Sequence, residues 1–87
     1  MNDLHTLQKK LQFKSSHRGS KEMDILLGSF VEKYIKLFNE GELKMLEAIL
    51  ELDDNDIYRY ALDKVTIPKE IDNRVMQLLK DFTMLKK

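Results

Sequence analysis

The residues of this chain best suited to binding chemistry lie in the polar stretch 15–24, SSHRGSKEMD. It contains His17, Arg18 and Gly19 in succession, with Glu22 four residues after the arginine. A guanidinium offers a planar set of donors to carboxylate or carbonyl oxygens, and a glycine allows another backbone to approach closely. Arg18 and Glu22 also have the spacing of a weak ion pair on a helix. The stretch therefore predicts either a surface for a protein partner or an ordinary helix break with an ion pair.

A second polar stretch, ELDDND at residues 51–56, concentrates four carboxylates. A calcium loop that began at Asp54 would need glycine at its sixth position and glutamate at its twelfth. Those positions hold Arg59 and Val65. We therefore interpret the run as the start of a helix, with Asp54 as the N-cap and Asp56 in the first turn, where the helix dipole favours negative charge. Docking of a partner on these carboxylates is compatible with that role.

Catalytic and metal chemistry have little support in the sequence. The chain has no cysteine, which excludes disulfides and cysteine-ligated zinc. His5 and His17 belong to no set with the spacing of metal ligands, and no nucleophile with a neighbouring base is recognisable. The sequence predicts neither an enzyme nor a metal site.

The charge is balanced overall but uneven along the chain. Fifteen basic and fifteen acidic residues give a formal net charge of zero, without the basic excess typical of nucleic-acid-binding proteins. Residues 9–21 carry only basic charges, whereas residues 40–56 carry seven carboxylates and one lysine. This asymmetry suits a protein partner with a patterned surface, or two solvated helix faces. We expect no binding to nucleic acid.

No targeting or membrane segment is recognisable in the sequence. No apolar run approaches the roughly 20 residues that span a bilayer. The first ten residues, MNDLHTLQKK, resemble neither a signal peptide nor an organelle transit peptide. We therefore expect a cytoplasmic protein that does not insert into a membrane.

The sequence predicts five helices, which would position the two polar stretches. Glycine and proline are scarce, and apolar residues recur at intervals of three and four. Ser20 is placed to cap the second helix, Asn39 and Glu42 have the spacing of a capping box for the third, and Pro68 suits the first turn of the fifth. The predicted helices cover residues 3–15, 20–37, 40–52, 55–63 and 68–84. The fold class is all-α, a small five-helix bundle that forms a single domain over residues 1–87.

Two ordered motifs give the polar stretches a family context. The first is R-G-x-x-E, here residues 18–22, followed by Asp24. The second is the block ILELDDNDIYRY at residues 49–60, and an element P-x-E-x-D-N follows at residues 68–73. From about residue 11 to residue 82 the chain resembles the SdhE-type succinate dehydrogenase assembly factors, also called flavinylation or FAD assembly factors. It departs from the family at His17, Ser20 and Tyr60, where a basic residue, an apolar residue and tryptophan are frequent.

The resemblance implies a function. Such proteins are helical chaperones that bind the flavoprotein subunit of succinate dehydrogenase, and often that of fumarate reductase, and promote covalent attachment of FAD. The chain would then be no enzyme, would bind no cofactor stably because FAD belongs to the client, and would act as a monomer. Without an organelle segment, the resemblance implies a bacterial protein. A generic helical adaptor with an unrelated partner is the alternative.

The resemblance also implies which residues meet the client. Arg18, Gly19 and Glu22 would form the contact surface, together with their neighbours His17 and Asp24. In the second motif, helix capping and packing compete with client contact as roles for the matching residues, which are Asp53, Asp54 and Tyr60.

Overall fold

Five α-helices follow one another in a computed structural model that describes residues 3–85, with side chains for residues 4–84. Their bounds are α1 Asp3–Ser16, α2 Lys21–Tyr34, α3 Glu40–Leu50, α4 Asp54–Ala61 and α5 Arg74–Leu85. The described residues contain no strand. The prediction of a small all-α bundle with five helices is confirmed.

The starts of α2 and α3 follow from their capping residues. The Ser20 hydroxyl accepts a hydrogen bond from the backbone N–H of Met23 at 3.2 Å. At α3, the Asn39 side chain accepts from the N–H of Glu42 at 2.8 Å, and the Glu42 carboxylate accepts from the N–H of Asn39 at 2.9 Å. These bonds satisfy donors that a helix start leaves without partners. Both predicted caps are confirmed.

One hydrophobic core joins all five helices. Phe30 of α2 is fully buried, with ring centroids 5.0 Å from Tyr34 and 5.5 Å from Phe82 of α5. α1 packs against α2 and α3, while α5 packs against α2, α3 and α4. The other fully buried large side chains are Leu11, Leu27, Val31, Ile35, Leu43, Leu46, Ile49, Ile57, Val75, Met76 and Leu79.

Ion pairs between α1 and α3 explain the uneven charge of the sequence. Lys10 Nζ lies 2.9 Å from the Glu47 carboxylate, and Lys14, one turn further along α1, pairs with Glu51, the residue that follows α3. The hydrogen bond from Lys10 lowers the pKa of Glu47 below its ordinary value of 4.5. Part of the basic run and part of the acidic run therefore face each other within the chain.

The start of α4 differs from the prediction. Asp53, and not Asp54, occupies the N-cap position, and its side chain makes no capping hydrogen bond. Asp54 is the first helical residue, and its carboxylate accepts hydrogen bonds from Arg18 and Gly19. The prediction of Asp54 as the cap is wrong because a tertiary contact, invisible in local sequence, engages this carboxylate.

The fifth helix also begins later than predicted. Pro68 opens a turn in which the N–H of Ile71 donates to the Pro68 carbonyl at 3.0 Å. α5 begins at Arg74, after Asn73, whose side chain accepts from the N–H of Met76 at 2.9 Å. A proline also suits a turn, and the amide of Asn73 supplies the cap that Pro68 lacks. None of the helices in the described part of the chain is long and apolar enough to cross a membrane.

Candidate partner-binding site

Arg18 connects two turns that are distant in sequence. Its Nε donates to Asp54 Oδ1 at 2.7 Å, and its two terminal nitrogens donate to the carbonyls of Leu50 and Leu52, each at 2.8 Å. The side chain is only 11 % exposed. Arg18 therefore fastens the α1–α2 connection to the α3–α4 connection.

The acceptors of Arg18 explain why a guanidinium is placed there. Leu50 is the last residue of α3, and the carbonyls at a helix C-terminus lack intrahelical partners and carry partial negative charge. Asp54 adds a full negative charge at the start of the next helix. A planar cation with several donors in a fixed fork serves these three acceptors at once.

Two backbone N–H groups complete this arrangement. The N–H of Arg18 donates to Asp24 Oδ1, and the N–H of Gly19 donates to Asp54 Oδ2 at 3.0 Å. A Cβ atom on residue 19 would lie 3.4 Å from that same oxygen, at van der Waals contact with the carboxylate. We call Arg18, Asp24 and Asp54, with the carbonyls of Leu50 and Leu52, the turn clasp.

Two carboxylates of the motifs remain available at the surface beside the clasp. Glu22 and Asp53 are exposed, and the carboxylate of neither makes a hydrogen bond or ion pair to another described residue. The ion pair of Arg18 with Glu22 does not form, since the guanidinium turns towards Asp54. Both free carboxylates line one shallow depression with Gly19 and Tyr58, which we call the acidic depression.

The remaining predicted contact residues, His17 and Tyr60, do not line the acidic depression. His17 is exposed at the end of α1, where its ring stacks on Phe13 with centroids 3.9 Å apart, and Nδ1 lies 2.8 Å from the Phe13 carbonyl. Tyr60 is half-buried and packs against the core. Their role in partner contact stays a prediction.

Tyr58 lines the acidic depression, although the sequence did not single it out as a contact residue. Its side chain is 42 % exposed. The signal was present in the spacing, because Tyr58 lies four residues after Asp54 and therefore on the same face of α4. In the part of the chain that the structure describes, no group of three acidic, histidine or cysteine side chains is arranged to hold a metal ion.

Comparisons with known proteins give a consistent match. A family model described as "flavinator of succinate dehydrogenase" matches residues 9–83. The chain is 34 % identical over 79 residues to "succinate dehydrogenase assembly factor 2, mitochondrial" of Dictyostelium discoideum, covering 91 % of this chain and 56 % of the relative. It is 38 % identical to assembly factor 2-A of Drosophila willistoni, covering 90 % and 51 %, and 38 % identical to assembly factor 2 of Drosophila virilis, covering 88 % and 50 %. The chain thus spans about half the length of these curated relatives.

These relatives overturn one expectation from the sequence. The prediction of a bacterial cytoplasmic protein is wrong, because the relatives come from eukaryotes and are named mitochondrial. That prediction depended on the lack of a recognisable targeting segment in the first residues, and such a lack does not determine where a protein acts.

Proposed function

Because this chain belongs to the family of flavinators of succinate dehydrogenase, we propose that it is an assembly chaperone for the flavoprotein subunit of that enzyme. In this proposal it binds the subunit and promotes covalent attachment of FAD to it, in mitochondria. The observation that carries the proposal is the family match over residues 9–83. The relatives named succinate dehydrogenase assembly factor 2 support it, and they do not favour a generic helical adaptor.

The geometry supports a division of roles within the R-G-x-x-E motif. Gly19 and Glu22 are exposed and, with Asp53, form the surface that meets the client. Arg18 directs its guanidinium into the chain, as does the carboxylate of Asp54, so these two residues shape the surface. The proposed client contact therefore rests on carboxylates beside the turn that Arg18 fastens.

The proposed mechanism is positioning of the client. The chaperone contributes no catalytic group and holds no cofactor stably, since FAD belongs to the flavoprotein. By binding one arrangement of the client more tightly than others, it raises the population in which flavin and protein are aligned for bond formation. The flavoprotein subunit of fumarate reductase is a second client within the same proposal.

Co-expression tests this function directly. The flavoprotein subunit is produced with and without this chain, and covalent flavin is scored by in-gel fluorescence relative to total subunit. We expect flavin attachment to rise when the chain is present, and equal attachment in both samples would contradict the proposal.

A matched pair of variants tests the surface. Glu22→Lys reverses a charge beside Gly19, whereas Glu70→Lys reverses an exposed charge in the turn after Pro68. We expect Glu22→Lys to reduce flavin attachment severalfold and Glu70→Lys to leave it unchanged. An equal loss in both variants would point to net charge and against a localised surface.

A further inference from the structure

An apolar groove continues directly from the acidic depression. It runs between α2 and α4, with Thr83 of α5 at its edge. Ile25 is 56 % exposed there, and Tyr58 is 42 % exposed. The remaining lining residues are Glu22, Met23, Leu26 and Leu62. Contiguous exposed apolar surface bordered by polar residues is typical of interaction sites.

On α2 the groove is lined by Met23 of the core stripe and by residues beside that stripe. The buried core positions of that helix are Met23, Leu27, Phe30 and Val31. Ile25 falls outside that stripe, three residues after Glu22 and on the same side of the helix, whereas Leu26 is partly buried and packs against the core. The apolar side chain that α2 leaves exposed in the groove is therefore that of Ile25, which is 56 % exposed and is not part of the core.

The groove and the acidic depression form one continuous surface. Glu22, Met23 and Tyr58 line both of them. The acidic depression forms one end of this surface and contains the unpaired carboxylates of Glu22 and Asp53. The neighbouring cation, Lys21, lines neither the groove nor the depression. The surface is therefore apolar along its length and negative at one end.

We propose that this surface is a two-part docking site for a segment of the flavoprotein subunit in which a lysine or arginine adjoins a large apolar side chain. The proposal rests on the proposed function and specifies the chemistry of the partner. The apolar side chain enters the groove beside Ile25 and Tyr58, where it leaves water. The cation meets Glu22 and Asp53, and this charge complementarity fixes the direction in which the segment lies.

A variant pair tests the apolar half. Ile25→Gln removes an apolar side chain from the groove, and Leu37→Gln removes one that is 73 % exposed and lies outside it. Binding to the purified flavoprotein subunit is measured by titration, after circular dichroism has shown that both variants fold. We expect the dissociation constant to rise about tenfold or more for Ile25→Gln, equivalent to about 1.4 kcal/mol. For Leu37→Gln we expect a change of less than about twofold, because rim and remote positions contribute little.

A second pair tests the charged half. In Glu22→Gln with Asp53→Asn, the association rate should lose most of its dependence on salt concentration, since steering by these carboxylates is gone. Glu70→Gln should retain the salt dependence of the wild type. An unchanged salt dependence in the double variant would overturn the assignment of a cationic group in the partner.

The possible failures are distinguishable. If the wild type binds the flavoprotein and Ile25→Gln binds equally well, the groove proposal is wrong while the proposed function stands. If the wild type does not bind the flavoprotein at all, both fall. If the wild type self-associates, Ile25→Gln abolishes this and flavoprotein binding is unchanged, the groove belongs to a second copy and the proposal is overturned.

Discussion

The guanidinium of Arg18 contacts three acceptors that lie in different directions. Replacement by lysine keeps the charge but supplies a single ammonium on a flexible stem. In Arg18→Lys, at least one of these three acceptors should lose its hydrogen-bond donor. The acceptors are Asp54 and the carbonyls of Leu50 and Leu52, and they surround a largely buried side chain. We expect the free energy of unfolding to fall by about 2 kcal/mol, the range for loss of a charged hydrogen bond. Urea denaturation measures this.

Arg59 provides the matched control for that prediction. It pairs with Asp56 three residues earlier on α4, and both side chains are well exposed. Arg59→Lys should change the free energy of unfolding by less than about 0.5 kcal/mol, as is usual for exposed pairs. If both lysine variants lose the same stability, the turn clasp has no special role.

The two polar motifs could be recognised in the sequence, but the contacts of their side chains could not. The R-G-x-x-E motif and the acidic run were visible as local patterns, and the structure brings them together. The partner of Arg18 was not predictable, because Asp54 lies 36 residues away and Glu22 offered a nearer carboxylate. Sequence spacing alone favours the nearer carboxylate, because it does not show how close the two turns lie in the folded chain.

The residue at which α5 begins can be tested by substitution. If α5 begins after Asn73, then Asn73→Ala removes its cap and should lower the free energy of unfolding by about 1 kcal/mol. Pro68→Ala changes only a turn residue and should cost less than about 0.5 kcal/mol, as for other surface sites. Thermal denaturation compares the two variants. The opposite order would support a helix that starts at Pro68.

The end of α4 holds a residue in a conformation that favours glycine. Asp63 has a φ of 60°, and its N–H bonds the Tyr60 carbonyl while that of Lys64 bonds the Arg59 carbonyl. This is a Schellman arrangement with aspartate in the usual place of glycine. Asp63→Gly and Asp63→Ala both lose the exposed pair with Lys80, so their difference isolates the backbone. We expect the glycine variant to be more stable than the alanine variant by about 1 kcal/mol in urea denaturation.

Helix number and most helix starts were predictable, because apolar spacing and capping side chains act over a few residues. The start of α5 was not, since Pro68 and Asn73 both suit a helix start and the sequence does not rank them. The cap of α4 was misassigned because Asp53 and Asp54 are chemically equivalent until Arg18 engages one of them.

Over the whole molecule, the pairing of α1 with α3 should make stability depend on pH. The pKa of Glu47 is lowered in the folded state, chiefly by the hydrogen bond from Lys10. The stabilisation is therefore present above the ordinary pKa of 4.5 and is lost as the pH falls through the lower folded pKa. Glu47→Gln should be less stable than the wild type at pH 7, by at most about 1 kcal/mol, and the difference should be smaller at pH 3. Urea denaturation at both pH values measures this, and a difference that is undiminished in acid would exclude the ion pair as its cause.

The turn clasp also bears on how long the molecule stays folded. The contacts of its guanidinium join residues 32 to 36 positions apart, whereas the helices form from neighbours. Closing a long loop costs chain entropy before the contact stabilises the fold. We therefore expect the clasp to form after the folding transition state. Loss of such a late contact accelerates unfolding and leaves the folding rate almost unchanged. Arg18 would then govern the lifetime of the native fold, and its variants would fold normally but persist for a shorter time.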